Sequence, residues 1–157
     1  MRKLFYLVLV VLCASFNQDQ GGFYKALSSN SESRIEQELI TLGKLKQSSQ
    51  HLAFEGALLM KKASFEKSVN NKVKLFKKGA RLLETEIESN SSSVEFRFIR
   101  LAVQEHAPGV LKYNKKLQED KTAVIQGFSK LGSALKAVIL DYSKTSKVLK
   151  ETDLKGN

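Results

Sequence analysis

Between Lys72 and Glu88 the apolar residues Val73, Phe76, Ala80, Leu83 and Ile87 recur at three- and four-residue intervals, widened by Leu75, Gly79 and Leu82. That spacing gathers them on one face of a helix but scatters them over both faces of a strand. The same rhythm carries Ile35, Leu39 and Leu42, and then Leu52, Ala53, Ala57 and Met60 within a stretch from about Ser49 to Ala63. It returns in Leu117, Val124, Ile125 and Phe128, and again in Leu135, Val138, Ile139, Tyr142 and Leu149. No sustained run alternates with period two. The predicted fold class is all-α.

The punctuation divides this pattern into about six helices. Ser33 with Glu36 and Ser92 with Glu95 read as capping boxes, in which hydroxyl and carboxylate satisfy unpaired backbone N–H groups. Val69-Asn70-Asn71 and Asn90-Ser91-Ser92-Ser93 read as breaks. Pro108 disfavours helical geometry in the residue before it, so the preceding helix is expected to end near Ala107. Tyr113-Asn114 opens the fifth helix, and Gly132-Ser133 is a stop followed by a new cap. Short polar breaks between amphipathic helices imply antiparallel hairpins, arranged as a small bundle or a short tetratricopeptide-like solenoid. Residues 31–152 are expected to form one domain, with a tail over 153–157. Phe76, Leu83, Ile87, Phe98, Leu101, Val124 and Phe128 are expected in one core.

The first residues have a different character. Arg2-Lys3 precedes an apolar run from Leu4 to Ala14, the layout of a secretory signal peptide over residues 1–15 with cleavage before Phe16. The run falls short of the roughly 20 residues of a membrane span, so no transmembrane helix is expected after its removal. Lipidation at Cys13 is a second reading, although Leu12 stands where that chemistry needs a small residue. Residues 16–30, polar and carrying Gly21-Gly22, read as a flexible lead-in. The expected location is periplasmic or extracellular.

Two resemblances bear on the middle of the chain. Gly79, Leu83, Ile87 and the turn at Asn90-Ser91 resemble the second helix and exit turn of a tetratricopeptide repeat, with Ser91, Glu86 and Arg97 departing from that family's preferences. From Glu55 to Leu131, the elements Gly56-Ala57, Lys74-Leu75-Phe76, Val94 to Leu101, Gln104, Pro108, Tyr113-Asn114 and Glu119-Asp120-Lys121 are similar to a family of exported helical proteins from Bacteroidetes. That resemblance implies a bacterial, exported protein and brings no catalytic residue.

Chemistry-bearing residues are few. One cysteine and two histidines exclude a disulfide framework and the usual zinc ligand sets. Neither His51 nor His106 has a metal-ligand partner at helical spacing, and no glycine-rich phosphate loop occurs. No catalytic residue, metal or cofactor is expected, and the chain is not read as an enzyme.

Two polar constellations stand out. Arg97, Arg100 and Gln104 share one arc of their helix, with Val94, Phe98 and Leu101 on one side and Phe96, Ile99 and Val103 on the other. Guanidiniums between apolar flanks need acceptors, and Glu119 and Asp120 follow on the next helix. The cluster is either a structural clamp or a site for a carboxylate or phosphate. Lys74, Lys77, Lys78 and Arg81 make a basic face, while Glu84, Glu86 and Glu88 read as surface acids. The net charge is +10, and lysine far outnumbers arginine. Export places nucleic acid out of reach, so none is expected as a partner. The function classes left are an interaction module for a protein or peptide partner, and an envelope-surface protein binding anionic lipid or polysaccharide through lysine faces.

Overall fold

The computed structural model describes residues 20–155, and the expected signal peptide lies outside the described residues. Among the described residues every regular element is helical. A helix over residues 20–27 (α1) leads into α2 (Glu32–Lys44), α3 (Ser49–Lys62), α4 (Val69–Ser89) and α5 (Val94–His106). After a turn at Pro108 come α6 (Leu117–Gly127), α7 (Ser133–Ser143) and the short α8 (Glu151–Leu154).

Helix α3 is the centre of the fold because its residues are small or apolar almost all round, and seven of them from Ala53 to Met60 are buried. It runs antiparallel to α4: Asn90 at the end of α4 donates to Ser49 at the start of α3 at 3.2 Å. Midway along, Gly56 faces Gly79, and a Cβ on Gly56 would stand 2.7 Å from the Gly79 carbonyl oxygen. Only glycine lets the two backbones approach that closely. Helices α5 and α6 form the second antiparallel pair, with Val94 against Gly127 at one end and Gln104 against Lys116 at the other.

The core is divided, contrary to the single core expected. Phe76, Leu83 and Ile87 pack with Phe23, Ile35, Phe54 and Leu58. Phe98, Leu101 and Val124 pack with Ile139, Leu149 and Leu154, with half-buried Phe128 at the edge. Helix α5 stands between them, sending Phe96, Ile99 and Val103 one way and Phe98 and Leu101 the other.

Several boundaries differ from those expected. Residues 20–27 are no flexible lead-in: Phe23 is fully buried and stacks on Phe54 with ring centroids 3.8 Å apart. Two core positions, Phe23 and Ala26, are enough to dock this short helix, despite the glycines beside them. At the other end the domain continues to Leu154, the last residue of α8, which is buried in the second core, and Asp153 pairs with Lys121 at 2.8 Å. The caps are Ser31 and Ser93, not Ser33 and Ser92, because Glu36 turns to Lys62 and Glu95 turns to Tyr24 and Gln50. Val69 already belongs to α4, and α6 starts at Leu117. Leu149 reaches the core from the α7–α8 connection, not from the face of α7.

Candidate functional site

The arc of α5 delivers Arg97, Arg100 and Gln104 to one carboxylate, Asp120, which sits fully buried in the first turn of α6. Arg100 grips it with both sides of its fork: Nε donates to Oδ2 at 2.7 Å and Nη2 to Oδ1 at 2.7 Å. Gln104 Nε2 donates to Oδ2 at 2.7 Å, and Arg97 Nη1 to Oδ1 at 3.1 Å. The other end of the Gln104 amide accepts the Lys116 N–H at 3.0 Å, which caps a helix whose own N-cap side chain makes no bond. Glu119, more exposed, accepts from Arg97. All five residues expected in this cluster therefore meet.

The structure adds two that the sequence reading left out. Arg100 Nη1 donates to Glu84 at 2.6 Å, and the Tyr113 hydroxyl donates to the other Glu84 oxygen at 2.7 Å. Glu84 was expected on the surface, yet it is only 29% exposed and ties α4 to the arginine. The signal was its position four residues after Ala80, at the border of the apolar stripe. Tyr113 is aimed there by the turn after Pro108, where Lys112 takes a left-handed conformation, and its ring packs edge-on against Phe76.

This arrangement is close to charge-balanced. Two guanidiniums and the Lys116 ammonium, 4.0 Å from Glu84, face three carboxylates that are all already paired, so no net charge is left to draw in an anion. Arg97 Nε alone is buried without a hydrogen-bond partner among the side-chain atoms of the described residues. Burial works to lower the Arg100 pKa, but Asp120 and Glu84 outweigh it and raise it. Burial, and then Glu84, lift the Tyr113 hydroxyl well above the usual phenol range. The bond from Arg97 holds Glu119 below the usual carboxylate range. Through Arg97 and Arg100 these contacts tie α5 to α6 and to α4.

Two further carboxylates secure the ends of α5. Glu95 accepts from Tyr24 at 2.9 Å and Gln50 at 2.8 Å, and burial raises its pKa. Glu105 accepts from Tyr142, from Ser146 at 2.6 Å and from the Lys147 N–H at 2.5 Å. Burial pushes Glu105 upward, but Ser146, Tyr142 and the Lys147 N–H prevail and lower it. His51 and His106 lie apart, each with its Nδ1 beside a backbone carbonyl, Lys46 and Ala102 respectively. Among the described residues no three His, Cys, Asp or Glu side chains come together as a metal-binding group. No helix among them is long and apolar enough to cross a membrane.

The basic face is built the opposite way. Lys74, Lys77, Lys78 and Arg81 are all exposed on α4, and none meets a carboxylate among the described residues. They line an open groove of about 640 Å³ whose apolar wall is Leu75 and Leu82. Comparison with protein-family profiles, curated proteins and solved structures finds no match.

Proposed function

We propose that this chain is an exported, non-catalytic helical module that holds an anionic partner against the exposed face of α4. The observation that carries the reading is the contrast in pairing. The arginines of the α5 cluster are consumed by internal carboxylates, whereas Lys74, Lys77, Lys78 and Arg81 stand unpaired along one groove. Unpaired like charges three and four residues apart repel one another, and an anionic partner removes that cost. The close α3–α4 pairing at Gly56 and Gly79 supports the likeness to a tetratricopeptide helix pair, an architecture that works by presenting helical surfaces.

The test uses three anionic probes near physiological salt: polyglutamate, phosphatidylglycerol vesicles and polygalacturonate. The wild-type chain should bind at least one. Lys74→Glu/Lys78→Glu should lose that binding by about tenfold or more, since charge reversal replaces attraction by repulsion. Lys130→Glu/Lys147→Glu, two exposed lysines elsewhere, serves as the charge-matched control and should retain it. Equal loss in both variants would reduce the face to bulk net charge and end the reading. Export is tested separately, by fractionation and by the mass of the mature N-terminus, expected near Phe16.

A further inference from the structure

The groove on α4 carries apolar as well as cationic groups, and this narrows what can fill it. Leu75 and Leu82 are seven residues apart, so they lie two turns apart on one line of the helix, about 10 Å along its axis. Lys78, Lys74, Arg81 and Lys77 all lie on the solvent side of that line, Lys78 nearest to it and Lys77 farthest. Leu82 is half-buried yet packs in neither core cluster; its Cβ sits beside the α3 backbone at Gly56, and its outer part borders the groove. Glu66 also lines the groove and interrupts the positive field.

From this juxtaposition we propose that the α4 groove is a docking site for an acidic amphipathic helix of a protein partner. Such a helix would seat apolar residues spaced seven apart against Leu75 and Leu82, and place its carboxylates on Lys74, Lys77, Lys78 and Arg81. The proposal rests on the reading of α4 as an anion-binding face, and it deepens that reading. Charge complementarity alone would suit several polyanions, but the apolar wall selects among them. A polysaccharide has no apolar side chains to place on Leu75 and Leu82. A bilayer surface is broad and flat, so it cannot reach half-buried leucines at the side of a groove, and its charge would press against Glu66. A helix is narrow enough to enter, and two of its turns match the length of the cationic row.

The experiment uses the mature full chain and two labelled peptides of about 15 residues, long enough for four helical turns. One carries Leu at positions seven apart with Glu along one flank; the other has the same composition with the leucines scrambled. Binding is followed by fluorescence anisotropy near physiological salt, beside phosphatidylglycerol vesicles and polygalacturonate. The patterned peptide should bind about tenfold or more tightly than the scrambled one, as expected when anchors fill a pocket. Leu82→Ser should erase that difference while leaving residual charge-driven binding to both peptides. Lys74→Glu/Lys78→Glu should abolish binding of both. Circular dichroism melts of the variants confirm that each is folded, and Leu82→Gln is the alternative if Leu82→Ser melts early.

Equal binding of the two peptides overturns the helix-docking proposal and leaves the anionic face standing. Binding to vesicles or polygalacturonate with no peptide preference does the same and assigns the face to that partner. Failure of every probe overturns both.

Discussion

The molecule treats its two cationic clusters in opposite ways. On α5, Arg97 and Arg100 lie between two apolar flanks, and two neighbouring helices bring acceptors: Asp120 and Glu119 from α6, Glu84 from α4. On α4, Lys74, Lys77, Lys78 and Arg81 lie opposite the stripe that packs on α3, and no carboxylate among the described residues pairs with them. The first cluster is an internal joint, the second an external surface. What separates them is the flanking sequence: a guanidinium boxed in by large apolar residues is drawn into the interior, where an unpaired charge is expensive. A lysine three residues from another lysine on a polar face stays in water. A basic cluster is therefore read for function only after its apolar neighbours have been counted.

The largest effect that would break this contrast is at Arg100. Arg100→Met strips Asp120 of two bonds and Glu84 of one, leaving a fully buried carboxylate with Gln104 and the longer Arg97 contact. Removing the main partner of a buried carboxylate costs about 3–5 kcal/mol, and the remaining Arg97 contact puts the expected loss at the lower end. Urea unfolding measures it, and a loss below about 1 kcal/mol would put the arginine in the same class as the surface lysines. Arg100→Met/Asp120→Leu should cost less than the sum of the single changes, since it removes the orphan along with its partner. Tyr113→Phe, which deletes a hydrogen bond to the charged Glu84, should cost about 1.5–3 kcal/mol.

A smaller effect separates the two ends of α5 by pH. The pKa of Glu95 is raised by burial, so its ionised form burdens the folded state above that raised value and the burden lifts as pH falls toward the unfolded value. The pKa of Glu105 is lowered by its donors, so its contribution is present above the unfolded value and is lost as pH falls through the folded one. Asp153, lowered by its bond from Lys121, follows Glu105. Acid should therefore loosen the α7–α8 end while leaving the α1 end as firm or firmer. Hydrogen exchange between about pH 7 and pH 4, corrected for intrinsic rates, reads both ends at once. Parallel loosening of α1 and α8 would contradict the opposite shifts.

The sequence announced the clamp more clearly than the frame around it. Arg97, Arg100 and Gln104 could be placed on one arc because helical periodicity is local, and Glu119 and Asp120 followed because a short connection brings the next helix back antiparallel. Glu84 and Tyr113 were hidden for different reasons. Glu84 sits among alternating charges at the edge of a stripe, where exposure is decided by what packs beside it. Tyr113 is aimed by a turn whose left-handed residue, Lys112, carries no glycine signal. Helix α1 was hidden by its glycines and its brevity: its stability comes from Phe23 stacking on Phe54, a contact across 31 positions that no window on residues 16–30 contains. The serine caps slipped by one or two residues because Ser31 and Ser33, and Ser91 to Ser93, offer the same chemistry side by side.

The smallest effect sharpens the comparison from the other side. If the α4 cations are unpaired, removing two of them should not destabilise the fold, and relief of like-charge repulsion should tilt the change slightly upward. Lys77 lies three residues from Lys74 and four from Arg81, so Lys77→Gln relieves two such contacts, and Lys78→Gln adds its own with Lys74 and Arg81. Each contact of this kind costs about 0.2–0.5 kcal/mol on a helix surface. The four contacts together set a ceiling of about 0.8–2 kcal/mol of gain, which screening near physiological salt cuts to a fraction, so the double variant should be no less stable than wild type. The gain should be greatest near 0.01 M salt, where the Debye length is about 30 Å, and vanish near 1 M, where it is about 3 Å. A salt-independent loss of stability would mean that these lysines bury their stems or meet a hidden acceptor. In that case α4 would carry a second internal joint, and the face would have to be sought elsewhere on the molecule.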